Sequence, residues 1–273
     1  MSELPPICSF WHGPISYLER LCIASFLDKG HRFALYAYED WGAVPKGCEL
    51  VDAASVIPRN EMFFYKGNRT PAVFADLFRL RLMQREAGIW ADCDVCCLKP
   101  FANLGDYVFG IEGRTNKALG SEIKVNNAVF RCPSDSELLR ALLETFEPGA
   151  IPPGMPFNRR FEVWLRRLLG MSLKVEDLQF GATGPWPLNH HLHRLGLFAA
   201  AQPRPVFYPL GYNSAHRLLE ADGDIESVIR PETLAIHLWH SALTDRGTGK
   251  PAIPQPGSFL AREAARLGVD ISS

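Results

Sequence analysis

Gly88 to Phe101 read GIWADCDVCCLKPF. Two acids, Asp92 and Asp94, alternate with Cys93, and Cys96 and Cys97 follow at once. The stretch reads either as a thiolate metal site with acids beside it or as a carboxylate site with cysteines beside it. A structural zinc site takes four ligands, commonly as two spaced pairs. Cys93 and Cys96 have CxxC spacing, but Cys8, Cys22, Cys48 and Cys132 are isolated, and His190, His191 and His193 lie far along the chain. Those cysteines read as small apolar fillers, because free Cys is commonly buried. Asp92 and Asp94 are two apart, so an extended strand projects both to one side, and a turn there converges them on one ion. Oxygen ligands suit Mg2+ or Mn2+, which keep open positions for substrate phosphates.

The flanks place these acids in a fold. Thr70 and Pro71 make a helix start, with Thr70 as N-cap, and the helix is predicted to run to about Ala87 and stop at Gly88. Ile89 to Ala91 is then a short strand with the acids at its C-terminal end. Upstream, Ile7 to Trp11 is an apolar run. Leu18, Leu21, Cys22, Ser25 and Phe26 follow at helical spacing before Gly30, and Phe33 to Tyr38 is rich in strand formers. Strand, helix, strand is the order of a parallel sheet covered by helices. Such a sheet binds ligands outside the carboxyl ends of its strands. Further strands are predicted at Tyr107–Ile111, Asn126–Cys132 and Leu234–Trp239, and helices at Ser136–Phe146 and Ser258–Leu267.

The chain has 273 residues and a formal net charge of -1, which leaves no basic footprint for nucleic acid. No apolar run approaches the roughly 20 residues that cross a bilayer. The start, MSELPPICSFW, has neither a basic n-region nor a long apolar h-region, so no secretory signal is expected. Seven cysteines at irregular spacing predict reduced thiols and a soluble, cytoplasmic protein. One stretch stands apart. PFNRRFEVWLRRLLGM sets Phe161, Trp164, Leu165, Leu168 and Leu169 along one helical stripe among Arg159, Arg160, Arg166 and Arg167. Most such helices are ordinary surface elements, but the pattern also suits peripheral contact with an anionic membrane.

FADLFRLRLMQREAGIWADCDVCCLKPF resembles the DxD region of glycosyltransferase family 32, the DXD-motif sugar-binding family of GT-A transferases. The matching positions are Asp76, Arg79, Gly88, Trp90, Asp92, Asp94, Lys99 and Pro100. The opening ICSFWHGPISYLERLCIASFLDKGH, the segment KVNNAVFRC and the late AIHLWHSA are similar to other parts of that family. The resemblance spans roughly Ile7 to His240. It implies a GT-A-like α/β fold, a mostly parallel central sheet flanked by helices, in a single domain. Residues 7–147 would hold nucleotide-sugar and metal, residues 148–245 would supply the acceptor side and a C-terminal metal segment, and 246–273 would form a tail.

It also implies an activity. A hexose would move from a UDP- or GDP-sugar to a saccharide, lipid-linked saccharide or other hydroxyl acceptor, with retention, in glycan or surface polysaccharide synthesis. Asp92 and Asp94 would be the catalytic acids and would hold Mn2+ (or Mg2+) with His237, or failing it His240. Donor contacts would fall on Phe10 and Trp11 at the nucleotide base, on Asp76, Arg79, Asn126 and Asn127 at the sugar, and on Trp90, Thr183 and Gly184. Two positions depart from the family pattern. Ala75 stands where Ser often precedes the Asp, and Ala242 where a Trp often closes the last motif. Three rivals are weaker: a non-catalytic carbohydrate-binding protein of the same fold, a DxD phosphatase of the haloacid dehalogenase type, and a zinc or thiol protein. The phosphatase expects its acids after the first strand.

Overall fold

The computed structural model describes residues 3–39, 42, 44–65, 70–113, 124–171, 174–178, 181–245 and 247–272, with the side chain of Arg167 outside that set. Its strands are β1 (Ile7–Phe10), β2 (Phe33–Ala37), β3 (Cys48–Asp52), β4 (Ile89–Ala91), β5 (Val95–Cys97), β6 (Val108–Gly113), β7 (Lys124–Arg131) and β8 (Ala235–His237). Its α-helices are α1 (Tyr17–Asp28), α2 (Ala72–Gln84), α3 (Glu137–Leu143), α4 (Phe157–Leu168), α5 (Pro185–Arg194), α6 (Arg204–Phe207), α7 (His240–Leu243) and α8 (Phe259–Leu267).

Six strands form one sheet in the order β3-β2-β1-β4-β7-β6. Strands β1 to β4 run parallel, and β7 lies antiparallel between β4 and β6. The sheet is mixed but mostly parallel and flanked by helices, consistent with a GT-A-like layout. Strands β5 and β8 pair antiparallel as a second, two-stranded sheet.

Both faces of the central sheet are covered, so its inner strands are largely apolar, with Ser9 in β1 and Asn126 and Asn127 in β7 as buried or half-buried polar exceptions. From β1 and β4, Cys8, Phe10 and Trp90 join Phe74 and Phe78 of α2 and Phe130 on one face. Ile7, Ile89 and Ala91 meet Phe26 of α1, Phe33 and Leu35 on the other. Helix α1 also packs with α8 and the small sheet, through Leu18, Leu21, Cys96, Ile236 and Leu260.

Helix α1 begins with a capping box, in which Ser16 and Glu19 satisfy each other's backbone amides. Helix α2 corrects both expected ends. It starts at Ala72, with Pro71 at the N-cap and no side-chain capping bond, so Thr70 is not the cap. It stops at Gln84 because Glu86 takes a left-handed φ of 53°, with Glu86 N–H on Met83 O and Ala87 N–H on Leu82 O. Those two bonds are a Schellman stop. Gly88 has a different duty. A Cβ there would lie 2.2 Å from Pro6 O. Its bare backbone, at φ 131°, lets β4 come alongside β1.

Candidate functional site

The DxD stretch leaves the sheet as a turn between β4 and β5. Val95 N–H donates to Asp92 O at 3.0 Å, and Asp92 N–H to Ala128 O at 2.7 Å. Cys93 points down into the core, its Sγ 3.2 Å from Ser9 Oγ. The two carboxylates are thereby left on the same side. Strand β8 runs beside β5, with Val95 opposite His237. Among the described residues, Asp92, Asp94 and His237 offer ligand atoms that all lie within 4.8 Å of one another.

Each acid is held. Asp92 Oδ1 accepts from Trp90 Nε1 at 2.6 Å and from Arg79 at 2.9 Å, while Arg79 lies over the Trp90 ring at 4.7 Å. Asp94 Oδ1 meets His237 Nε2 at 3.1 Å, and Asp94 Oδ2 accepts the His240 backbone N–H at 2.9 Å. Burial would raise the Asp94 pKa, but the charge and hydrogen bond of His237 and the His240 amide bring it down to about 2. Burial would likewise depress His237, and Asp94 outweighs it to hold the imidazole above its ordinary value. Asp92 goes the other way: burial, with the neighbouring Asp94 charge, lifts it despite Arg79. A cluster of two acids and one imidazole could hold a divalent metal ion. The Nδ1 atom of His237 is buried without a hydrogen-bond partner, so Asp94 is the group that now holds the ring through Nε2.

A second cluster adjoins the first through Arg79. Its guanidinium is buried, and burial lowers its pKa less than Asp92 and Asp76 raise it. One arm binds Asp92 and the other Asp76 Oδ1, at 2.7 Å. Asp76 also accepts from Asn127 Nδ2 at 3.0 Å and from Thr183 Oγ1 at 2.8 Å. A carboxylate has about four acceptor positions, so three protein donors leave roughly one for a ligand hydroxyl. Gly184 comes so close that a Cβ would sit 2.8 Å from Asp76 Oδ2. Asp76, Arg79, Asn127, Thr183 and Gly184 thus line one small cavity.

Other expected site residues are placed differently. Phe10, expected at the nucleotide base, is buried in the core against Tyr38, Phe74 and Phe78. Trp11, one residue on, is half-buried and meets the His240 ring edge-on at 6.0 Å. Trp90, expected at the donor, is fully buried and donates its indole N–H to Asp92 Oδ1. Asn126 is locked by Glu112 Oε2 and by the Ala128 amide, and does not point its amide at the Asp76 cavity. The His240 ring turns away to Glu19, with Nε2 3.1 Å from Oε1, and only its backbone reaches Asp94.

Among the described residues, no cysteine belongs to a cluster that could hold a metal ion. Cys8, Cys93, Cys96, Cys97 and Cys132 are buried, and all seven cysteines are free. Burial pushes the thiols of Cys8, Cys96 and Cys132 up to about 12.

Two supporting residues carried no sequence signal. Glu112, at the end of β6, pairs with Lys124 at 2.7 Å, and its charge helps to raise the His237 pKa. The Tyr208 ring lies 5.8 Å from His237, with its hydroxyl accepting the Val129 amide at 3.3 Å. A Glu on a short strand and a Tyr after a Pro-rich turn both read as ordinary surface residues.

No family model matches the chain, and no curated protein matches it. Among solved structures the chain is similar to one titled PaToxG Glycosyltransferase. The two are 14% identical with a TM-score of 0.43, over 71% of this chain and 73% of that one. Among the described residues, no helix is long and apolar enough to cross a membrane.

Proposed function

We propose that the chain is a metal-dependent glycosyltransferase that moves a hexose from a nucleotide-sugar to a hydroxyl acceptor. One observation carries the reading: Arg79 joins a cluster suited to a divalent cation, Asp92–Asp94–His237, to a separate polar cavity built on Asp76. A diphosphate at the first cluster would set its sugar beside the second. Asp76 then takes a sugar hydroxyl with its remaining acceptor position, oriented by Arg79, Asn127 and Thr183. Trp11 borders the site at the C-terminal end of β1 and is the residue left to stack on a base.

A divalent cation held by Asp92, Asp94 and His237 would neutralise the diphosphate and act as a Lewis acid on the leaving group. The chain's own residues do the holding. Arg79 and Trp90 fix Asp92, while His237 and the His240 amide fix Asp94. Transfer with retention has the acceptor oxygen bond the anomeric carbon on the face the phosphate leaves, with the hydroxyl proton passing to that phosphate. This requires no dedicated protein base, and the catalysis lies in positioning and charge stabilisation. The acceptor class follows the family resemblance: a saccharide, free or lipid-linked, in glycan or surface polysaccharide synthesis. The test is a turnover panel of UDP- and GDP-hexoses with manganese or chelator. One donor hydrolysed or transferred only with metal is expected, and no metal-dependent turnover of any donor would overturn the reading.

A further inference from the structure

Helix α4 is amphipathic the wrong way round for a buried element. Val163 faces in, against Met155, Leu178 and Ala182. Phe157, Phe161, Trp164, Leu165, Leu168 and Leu169 face out, with 84% of Phe157, 68% of Leu168 and 69% of Leu169 exposed. With about 3.6 residues per turn, these positions form one stripe on the side of the helix away from Val163. The rings of Phe157, Phe161 and Trp164 lie side by side along it, at 6.5 and 5.6 Å. Met171, just past the helix, extends the exposed surface. Contiguous exposed apolar surface on this scale marks a contact site.

The border of the stripe says what covers it. The helix carries four arginines and one acid. Arg160 stands exposed on one flank; on the other, Arg159 and Arg166 share Glu162, at 3.1 and 2.7 Å. The Arg167 side chain lies outside the described set. A second copy docking through the same stripe would bring these like-charged borders together, because a two-fold contact pairs a patch with itself. An anionic bilayer has the opposite charge and an apolar interior. Phe, Trp and Leu enter the boundary while arginine stems run along it and keep their heads at the phosphates.

We infer that α4 is a membrane-docking helix that lies in the surface of an anionic bilayer. Its inner side packs on Ala182, next to Thr183 and Gly184 of the Asp76 cavity, so docking holds that cavity close to the bilayer. The inference does not rest on the proposed reaction.

Vesicle co-sedimentation of the full chain tests it. Vesicles of phosphatidylcholine alone and of phosphatidylcholine with phosphatidylglycerol are compared, at low and high salt, beside light scattering for self-association. Binding to the anionic vesicles only, weakened by salt, is expected. Phe161→Glu/Trp164→Glu should abolish it, and Arg160→Glu should weaken it about fivefold or more. These side chains are exposed, so melting temperatures should not move. Absence of vesicle binding by the unaltered chain overturns the inference, as does binding that the substitutions leave intact. Self-association that Phe161→Glu/Trp164→Glu removes, without vesicle binding, overturns it in favour of a second copy.

Discussion

Asp94 is both the better-ionised acid of the site and a structural tie, since it receives the β8 imidazole on one oxygen and the α7 amide on the other. Asp94→Ala leaves those donors unpaired, at a cost of about 1–3 kcal/mol. It also relieves the charge that raises Asp92. The variant is therefore expected to fold but to lose turnover and manganese-dependent donor binding. Circular dichroism with calorimetric titration checks both, and unchanged turnover would remove the metal argument. Gly184→Ala probes the sugar cavity without removing a titratable group. Its new methyl, 2.8 Å from Asp76 Oδ2, must displace the carboxylate. Overpacking of about 1–3 kcal/mol corresponds to roughly a five- to 150-fold fall in kcat/KM for the nucleotide-sugar. The Kd of the free nucleoside diphosphate should hold, and equal loss in both would count against a sugar-facing Asp76. At this scale the spacing of Asp76, Arg79, Asp92 and Asp94 was legible, because near neighbours on a helix or turn share a face. Glu112 was not, because its importance comes from a hydrogen bond to Asn126, fourteen residues on. Phe10 and Trp11 were separable only with the strand's end in view: Phe10 is its last residue, in the core, and Trp11 the first beyond it.

Elements bring the site together, and two contacts between neighbouring segments can be probed by substitution. Gly88 lets β4 lie against the segment entering β1, and Gly88→Ala would drive a methyl into Pro6 O. A destabilisation of about 2–4 kcal/mol is expected in urea melts. Gly113→Ala, where a Cβ meets open space, should cost almost nothing, and a tolerant Gly88 would refute the account of the β1–β4 approach. The second contact is His31. Phe101 N–H donates to its Nε2 at 2.9 Å, so the ring's proton sits on Nδ1, which faces Pro5 O at 2.9 Å. Both atoms are spent on the neutral form, and burial lowers the pKa against the Pro5 bond that raises it. Above the ordinary value near 6.5, folded and unfolded chains are both neutral there and the full stability is present. As pH falls through that value the unfolded chain takes up the proton first, so stability declines. His31→Ala should be less stable by about 2 kcal/mol or more near neutral pH, and less acid-sensitive than the parent. An NMR pKa for His31 above 6.5 would sink this. Elements with strong periodicity, such as α1 and β2, were readable. Strand β3 was missed: it is an edge strand whose side chains are mostly exposed, so Cys48–Asp52 carries no hydrophobic alternation. The end of α2 was missed because Glu86 performs a turn usually given to glycine.

Across the whole molecule, the candidate metal cluster ties the first third of the chain to the last. Asp92 and Asp94 leave the central sheet, His237 arrives on β8, and Trp239, in a left-handed conformation at φ 61°, turns the chain so that the His240 amide meets Asp94. A non-glycine residue held there costs energy that the surrounding packing must cover. Here Trp239 donates to Leu210 O at 3.0 Å, and its ring lies tilted against His237 with the centroids 4.2 Å apart. Ligand binding should therefore stabilise the whole fold. A ligand present at about 100 times its Kd adds about 2.7 kcal/mol, and a protein of this size gains roughly 2–4 °C per kcal/mol. A melting shift of about 5–10 °C is thus expected for the right nucleotide-sugar with manganese, and none with chelator. His237→Ala should reduce the shift even though its residue lies over 140 positions from the DxD turn. A full shift in that variant would show that the last third of the chain takes no part in binding, and the cluster would shrink to its two acids.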